Sequence, residues 1–436
     1  MKIPRLLLSF SCALGLAQSV NAENLVDLYD IAVQQDPQFQ AARATQSSVK
    51  KTEEIAKASL LPTIGVAANL NRVNLDVRSS SSIAADDTYN KHDISLNLSQ
   101  PVYRKERWLS VDQAQILSGK ADVDFLAAQQ DLIVRLARAY FNVLSAQDTL
   151  EFVLADKKAI ERQLEQAKQR FEVGLIAITD VHEAQAAFDK SIANQIKAEN
   201  VLFNANEVLK EIIGNQDFEL DKLAESLILA EPVPADLSVW TAKAVEQNPN
   251  VVAAINNSEV AQKEIEVKRS GHYPTVDLVG SHSLSRTSYT RGSDTDTTTI
   301  GLQLALPLYS GGGVTASTEQ AQLDFEASQH TVVQQKRAVT RQVRDAYRGV
   351  VASISEVKAL KATRVSSKSA LDATEAGFEV GTRTIVDVLD SQRNLYSVMN
   401  DYAQARYNYV LNGLLLKQAA GTLSVKDLEQ VNQWLK

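Results

Sequence analysis

Residues 111–171 contain no proline and one glycine, Gly119, and residues 314–378 contain no proline and two glycines, Gly349 and Gly377. Proline breaks a helix because it lacks an amide donor and clashes with the preceding turn, and glycine weakens it entropically. A helix filling either stretch would be roughly 90 Å long, more than a compact domain of this size encloses. The first stretch also carries a heptad. Phe125, Leu132, Ala139, Ala146, Val153, Ile160 and Ala167 recur every seven residues, with Leu136, Val143, Leu150, Leu164 and Phe171 four residues on and Gln129 and Lys157 as exceptions. Such spacing predicts coiled-coil packing. In the second stretch Val332, Val339, Ala346 and Leu360 hold the seam, while Ser353, Ser367 and Thr374 predict looser packing or contact with water. With nine prolines and 17 glycines in 436 residues, turns are too few for a large β-sandwich or a (β/α)₈ barrel.

The prolines are placed regularly. Asp36-Pro37 recurs as Asn248-Pro249 and Leu61-Pro62 as Tyr273-Pro274, both 212 residues on, and Pro101-Val102-Tyr103 recurs as Pro307-Leu308-Tyr309. Ala139-Tyr140 then matches Ala346-Tyr347, Phe171-Glu172-Val173-Gly174 matches Phe378-Glu379-Val380-Gly381, and Gly214 matches Gly421, all at a spacing of 207. A series in constant register is a duplication. The domains expected are a first repeat over 23–225, a linker over 226–238, a second repeat over 239–425 and a C-terminal segment over 426–436. Each repeat reads as a helix interrupted near Pro37 or Pro249, two strands, a long helix and a shorter one. The fold class is mainly α with a small β part.

The strands are predicted between prolines. Ile64, Val66, Ala68 and Leu70 share one parity, as do Ile94, Leu96 and Leu98, with a polar loop expected over 79–91. In the second repeat Val276, Leu278, Gly280, His282 and Leu284 pair with a returning face of Ile300, Leu302, Leu304 and Leu306, around a loop over 286–298. Period two with one polar face fits a hairpin on a soluble core, and equally a membrane barrel strand with its apolar side outward. Four strands cannot close a barrel and leave two edges that hydrocarbon does not tolerate. If they span a membrane, several chains must share one barrel. Tyr103, Tyr309 and Trp108 are then candidates for an interfacial aromatic belt, and otherwise plain core.

Residues 1–22 read as a secretory signal, with Lys2 and Arg5 before an apolar run from Leu6 to Leu16 and a small-residue cleavage site at Val20-Asn21-Ala22. Cys12 is the only cysteine, so the exported chain is expected to lack disulfides. Its net charge moves from −8 to −10 on loss of Lys2 and Arg5, which argues against nucleic-acid binding. The histidines at 92, 182, 272, 282 and 330 show no metal-ligand spacing, and no nucleophile elbow, P-loop or dinucleotide-binding glycine pattern is present. No enzymatic activity and no cofactor are expected, and any transport energy must come from a partner.

The stretch Phe171-Glu172-Val173-Gly174-Leu175-Ile176-Ala177-Ile178-Thr179-Asp180-Val181, and Phe378 through Gly381-Thr382-Arg383-Thr384-Ile385-Val386-Asp387-Val388-Leu389-Asp390, resemble the two helical-tip motifs of the outer membrane efflux protein (outer membrane factor) family. Ala405-Arg406-Tyr407-Asn408-Tyr409 and Ala420-Gly421-Thr422-Leu423 fit the same family, and the resemblance runs over essentially all of the chain after residue 22. It implies a homotrimer in outer-membrane lipid, with a 12-stranded β-barrel continuous with a periplasmic α-helical barrel. It also implies a periplasmic adaptor (membrane fusion) protein and an inner-membrane transporter of the RND, ABC or MFS type as partners. The implied role is a passive exit duct for drugs, small molecules and secreted proteins. A narrower channel for metal or one substrate class, and a periplasmic coiled-coil scaffold without a pore, are the alternatives.

Asp387 and Asp390 lie three apart and so on one helix face. One reading is capping, with Asp387 as N-cap and Asp390 in the first turn. The resemblance implies instead a ring of six carboxylates at the periplasmic entrance, selecting cations and open to block by divalent cations. It further implies that Thr179, Asp180, Arg383 and the residue at 378 form a latch that holds the entrance shut. Position 378 is Phe where the family pattern carries a tyrosine hydroxyl, so closure is expected to lean more on Arg383. Gly174 and Gly381 read as left-handed C-terminal turns, and by resemblance as the adaptor-docking tips.

Overall fold

The computed structural model describes residues 24–77, 85–289 and 292–436. The signal segment and residues 79–84 of the first expected loop lie outside these. The chain begins with two helices, α1 (Leu25–Gln35) and α2 (Pro37–Ala58). A hairpin of β1 (Thr63–Val77) and β2 (Ala85–Tyr103) follows, then α3 (Lys105–Glu172) and α4 (Ile178–Ile213). The same order returns as α5 (Leu237–Gln247), α6 (Pro249–Arg269), β3 (Thr275–Thr287), β4 (Thr295–Ala305), α7 (Gly313–Glu379) and α8 (Ile385–Ala419). A final helix, α9, spans Val425–Asn432. Residues 85–91, expected as loop, are strand, because the hairpin partner Asn71–Val77 supplies ladder bonds that a polar composition does not reveal.

The interruptions near Pro37 and Pro249 occur for one reason. Pro at the first helical position lacks only a donor that would be unpaired anyway, and the residue before it caps. Asp36 accepts from the Phe39 amide at 2.9 Å and Asn248 from the Asn250 amide at 2.9 Å. The two caps then diverge. Asp36 is buried and held by Arg135 of α3 at 2.7 Å, whereas Asn248 donates to the Ala419 carbonyl at 2.9 Å.

The rods α3 and α7 are 68 and 67 residues long, about 100 Å each. Polar bonds place α2 along the sheet-side half of α3, where Gln46 and Lys50 reach Asp122. Along the other half α4 takes over, with Lys157 donating to Gln195. Between the halves lies the main core, where Leu132, Leu136, Tyr140, Phe141, Leu209, Val343, Tyr407, Val410 and Leu428 are buried together. A belt from the linker closes it. Leu223 and Leu435 form a β-bridge, and the linker's Ala230 amide donates to the Tyr409 hydroxyl.

The second rod corrects one expectation. Ser353 and Ser367 are buried, not watered. Asn412 donates to Ser353, Asn394 to Ser367, and Ser391 to Thr374, so α7 and α8 are joined by a polar seam rather than a loose one.

The strands form one antiparallel sheet in the order β1-β2-β3-β4. Register aligns Ile64, Leu98, Gly280 and Ile300 in one row, and Val66, Leu96, His282 and Thr298 in the next. On the opposite face Ala67, Ser95, Ser283 and Thr297 share a row, as do Asn69, Asp93, Ser285 and Thr295. Among the described residues no helix covers the apolar face: Ile64 is 70% exposed, Leu70 77% and Leu302 72%. That removes the soluble-hairpin reading, in which this face would be core. Tyr103 packs edge-on against Trp108 at 5.3 Å, at the end of the sheet nearest the helices, while Tyr309 stands 88% exposed beyond β4.

Candidate functional site

At the end of the rods farthest from the sheet, α3 turns into α4 and α7 into α8 by the same device. Gly174 has φ +74° and Gly381 φ +78°. The Leu175 amide reaches back to the Arg170 carbonyl at 2.9 Å, and the Thr382 amide to the Gly377 carbonyl at 2.8 Å. These are left-handed C-terminal caps, for which glycine carries no Cβ penalty. A Cβ on Gly174 or Gly381 would meet nothing within 4 Å, so only backbone strain restricts these positions within the chain.

Helix α8 starts at a capping box. Its N-cap is Thr384, whose hydroxyl accepts from the Asp387 amide, while the Asp387 carboxylate accepts from the Thr384 amide at 2.9 Å. This corrects the capping reading: Asp387 is the third residue of the helix, and Asp390 falls in the second turn. The Thr384 backbone bond, the Thr384 hydroxyl and then the nearby Arg383 charge hold the Asp387 carboxyl below the ordinary carboxylate range. Asp390 is exposed and meets Arg393 of its own helix at 2.9 Å.

The latch candidates are distributed as follows. Thr179 and Asp180 sit in the first turn of α4, exposed and half-buried, and among the described residues neither side chain bonds to another. Arg383 lies in the α7–α8 turn near Asp387, and among the described residues it forms no salt bridge with Asp180. Phe378 instead packs into two apolar clusters, one with Ile160, Phe188, Ile385 and Leu389, the other with Leu371, Val388 and Leu395. The Arg170 guanidinium lies 4.4 Å over its ring, a cation–π contact. A phenyl at 378 thus ties all four tip helices through apolar contact where a hydroxyl would have offered a hydrogen bond.

Sequence reasoning missed several participants. A Cβ on Gly377 would approach the Arg383 Cγ to 2.8 Å, so this glycine, read only as a break in a rod, makes room for the arginine. Above the tip, Gln392 donates to Asp156 at 2.8 Å and accepts from Gln163 at 2.8 Å. Asn400 pairs with Thr149 at 2.7 Å, and the Tyr407 hydroxyl donates to Asp148 at 2.6 Å. These join α8 to α3 by side chains whose polarity in an apolar seam was the available signal. Burial pushes the Asp148 and Asp156 carboxyls up, opposed by those same hydrogen bonds. Among the described residues no group of three or more metal-ligating side chains occurs, and no helix is long and apolar enough to cross a membrane.

A duplicated chain whose open sheet presents an uncovered apolar face and continues into helical rods is an outer-membrane channel subunit. The comparisons agree. The family described as outer membrane efflux protein matches residues 28–215 and 240–422. The outer membrane protein TolC of Vibrio cholerae serotype O1 is 41% identical, over 98% of this chain and 97% of its own length. The alkaline protease secretion protein AprF of Pseudomonas aeruginosa is 30% identical, over 95% of this chain and 88% of its own. The crystal structure of CusC has the same fold, with a TM-score of 0.79 over 91% of this chain and 92% of that one, at 16% identity. This chain belongs to the outer membrane efflux protein family, a family of channels rather than enzymes, and the scaffold without a pore falls away.

Proposed function

We propose that three copies share one 12-stranded barrel continuous with a periplasmic helical tunnel, and that the assembly is a passive exit duct opened at its tip by a periplasmic adaptor and an inner-membrane transporter. Drugs, other small molecules and secreted proteins are its cargo, the last supported by the likeness to a protein named for protease secretion. The observation that carries this reading is the sheet. Its apolar face, from the row of Leu304 to that of Leu70, is about 25 Å tall at the usual tilt, the height of an outer-membrane apolar band. Two unpaired edges remain, which only neighbouring copies can satisfy inside a bilayer.

At the tip, threefold symmetry turns Asp387 and Asp390 into a ring of six carboxylates that admits cations and is blocked by divalent ones. Gly174 and Gly381 form the adaptor-facing turns. Arg383, which forms no salt bridge among the described residues and lies near Asp387, closes the entrance against Thr179 and Asp180 of the assembly, while Phe378 contributes packing in place of a hydroxyl. The purified trimer in planar bilayers should show a cation-preferring conductance that divalent ions block from the periplasmic side. Arg383→Ser should raise that conductance and Phe378→Tyr lower it. No conductance would end the duct reading, and equal conductance of Arg383→Ser and wild type would end the latch.

A further inference from the structure

Far from the tip, the inner wall of the duct changes character once more. We infer that Tyr89 and Tyr289, backed by Val73 and Leu75, form an aromatic collar inside the outer mouth of the barrel that binds planar organic cations as they leave. This rests on the trimeric duct proposed above and adds a contact site, and a class of cargo, at its far end.

The collar follows from register. From the row of Gly65 to the row of Asn71, the face opposite Ile64 and Ile300 carries only glycine, alanine, serine, threonine and asparagine, apart from Lys91 and Asp93, which pair at 3.2 Å. Such a wall is small and wettable. The next row breaks the pattern. Val73 lies directly opposite Tyr89, and Leu75 is two residues on and so on the same face. Beyond β3 the Ser288 amide donates to the Asn90 carbonyl at 3.0 Å, and the Asn90 amide to the Ser288 hydroxyl at 2.9 Å. These bonds carry the β2–β3 alignment one residue further and set Tyr289 beside Tyr89, with ring centroids 4.9 Å and planes 34° apart. The inward residues of β1 from Gly65 to Asn71 are exposed, whereas Val73, Leu75, Tyr89 and Tyr289 are half-buried. Side chains directly opposite one another on one face touch, so the tyrosines shelter the aliphatic pair. The cluster stands at the end of the sheet farthest from the helices, on the face that looks into the lumen.

The outward apolar band has hydrocarbon to meet; this cluster does not, because it faces water. A barrel of 12 strands at the usual tilt is about 24 Å across at its backbone. Two tyrosines from each of three copies narrow it where the smaller side chains below leave it wide. Tyrosine rings attract cations over their faces and stack with other aromatic planes. Flat bases are held on aromatic side chains in the same way, with little regard to their substituents. Lys91 is already answered by Asp93, so the wall just below the collar does not repel a cation. The ligand these groups fit is a flat aromatic ring system with positive charge. Several equivalent rings hold such a molecule weakly and let it go, as conduction requires.

Proflavine, a flat organic cation, added to the extracellular side of the purified trimer in planar bilayers tests the collar. It should block the potassium current, and Tyr89→Ser with Tyr289→Ser should weaken that block by about tenfold or more. Tyr89→Phe with Tyr289→Phe should keep the block, since the ring faces remain. Divalent block from the periplasmic side should be the same in all three proteins; a change there would mean that the substitutions act through the tip, and would overturn the collar. No proflavine block in the wild type, or equal block in the wild type and the first double variant, would overturn it and leave the duct standing. Loss of block in the second double variant would overturn binding by the ring faces. If the wild type conducts no current at all, it is the duct that fails.

Discussion

Gly214 and Gly421 occupy equivalent places in the two repeats, and both have positive φ, +86° and +74°. Their surroundings differ. A Cβ on Gly214 would meet only the flexible Gln35 side chain at 3.7 Å, whereas one on Gly421 would drive into the Gln247 carbonyl oxygen at 2.6 Å and the Asn248 Cα at 2.7 Å. Gly214→Ala should therefore cost about 1–3 kcal/mol, the backbone strain of a Cβ at φ +86°, ψ 172° alone. Gly421→Ala adds an overpacking cost of about 1–3 kcal/mol and displaces the α5–α6 junction. Thermal dissociation of the two variants compares them directly; equal losses would mean the junction yields freely. The repeat made both glycines visible in the sequence. Only the packing of α8 against the Asn248 corner distinguishes them, because that contact joins segments 173 residues apart.

At the scale of elements, the kink between α1 and α2 is tied to the rod α3 by Asp36 and Arg135. The carboxylate is 3% exposed at its side chain and also caps α2. Arg135→Ala leaves it buried without its charge partner, a loss of roughly 3–5 kcal/mol. Arg135→Ala with Asp36→Asn, which keeps the cap and imitates Asn248 of the other repeat, should recover much of that by thermal unfolding. The α3–α8 contact predicts a pH dependence. Burial raises the folded-state pKa of Asp148 and Asp156, with the Tyr407 and Gln392 bonds only partly offsetting it. A carboxyl with a raised folded pKa binds a proton more tightly when folded, so its contribution is present at low pH and is lost as pH rises through the folded value. The charged groups around them, Lys222, Glu151 and Arg406 at Asp148 and Arg393 at Asp156, do not reverse the direction. Protection of α8 amides from exchange should fall as pH rises above the ordinary carboxylate value of about 4, and Asp148→Asn with Asp156→Asn should flatten that fall; an unchanged slope would place it elsewhere. The heptad announced that the rods pair. It did not announce Ser353, Ser367 and Thr374 as bonded seam residues, since a small polar residue looks the same in a sequence whether it faces water or an asparagine on the next helix.

For the whole molecule, the two faces of the sheet should respond to charge in opposite ways. Ile300 and Thr299 are neighbours on β4 with opposite faces. Ile300→Lys places an ammonium in hydrocarbon, at a cost of about 2–4 kcal/mol per copy near the midplane, and should abolish heat-resistant oligomers on gels. Thr299→Lys faces the lumen and should leave assembly intact while lowering cation current in bilayers. The reverse pattern would mean that the faces are assigned the wrong way round.

The repeat, the two rods, the helix breaks at Pro37 and Pro249 and the alternation of the strands were all legible in the amino-acid order, because proline chemistry, helical period and strand period are local. So were the tip motifs and the glycines that turn them. The capping box at Thr384, the apolar seat of Phe378, the room that Gly377 leaves for Arg383 and the polar bonds between α3 and α8 were not. Each depends on which side chain a distant helix presents. The sheet shows the division most clearly: its alternation is equally that of a soluble hairpin. Only the folded chain, in which no described helix is laid over Ile64, Leu70 and Leu302, shows that its own packed core leaves the apolar side uncovered.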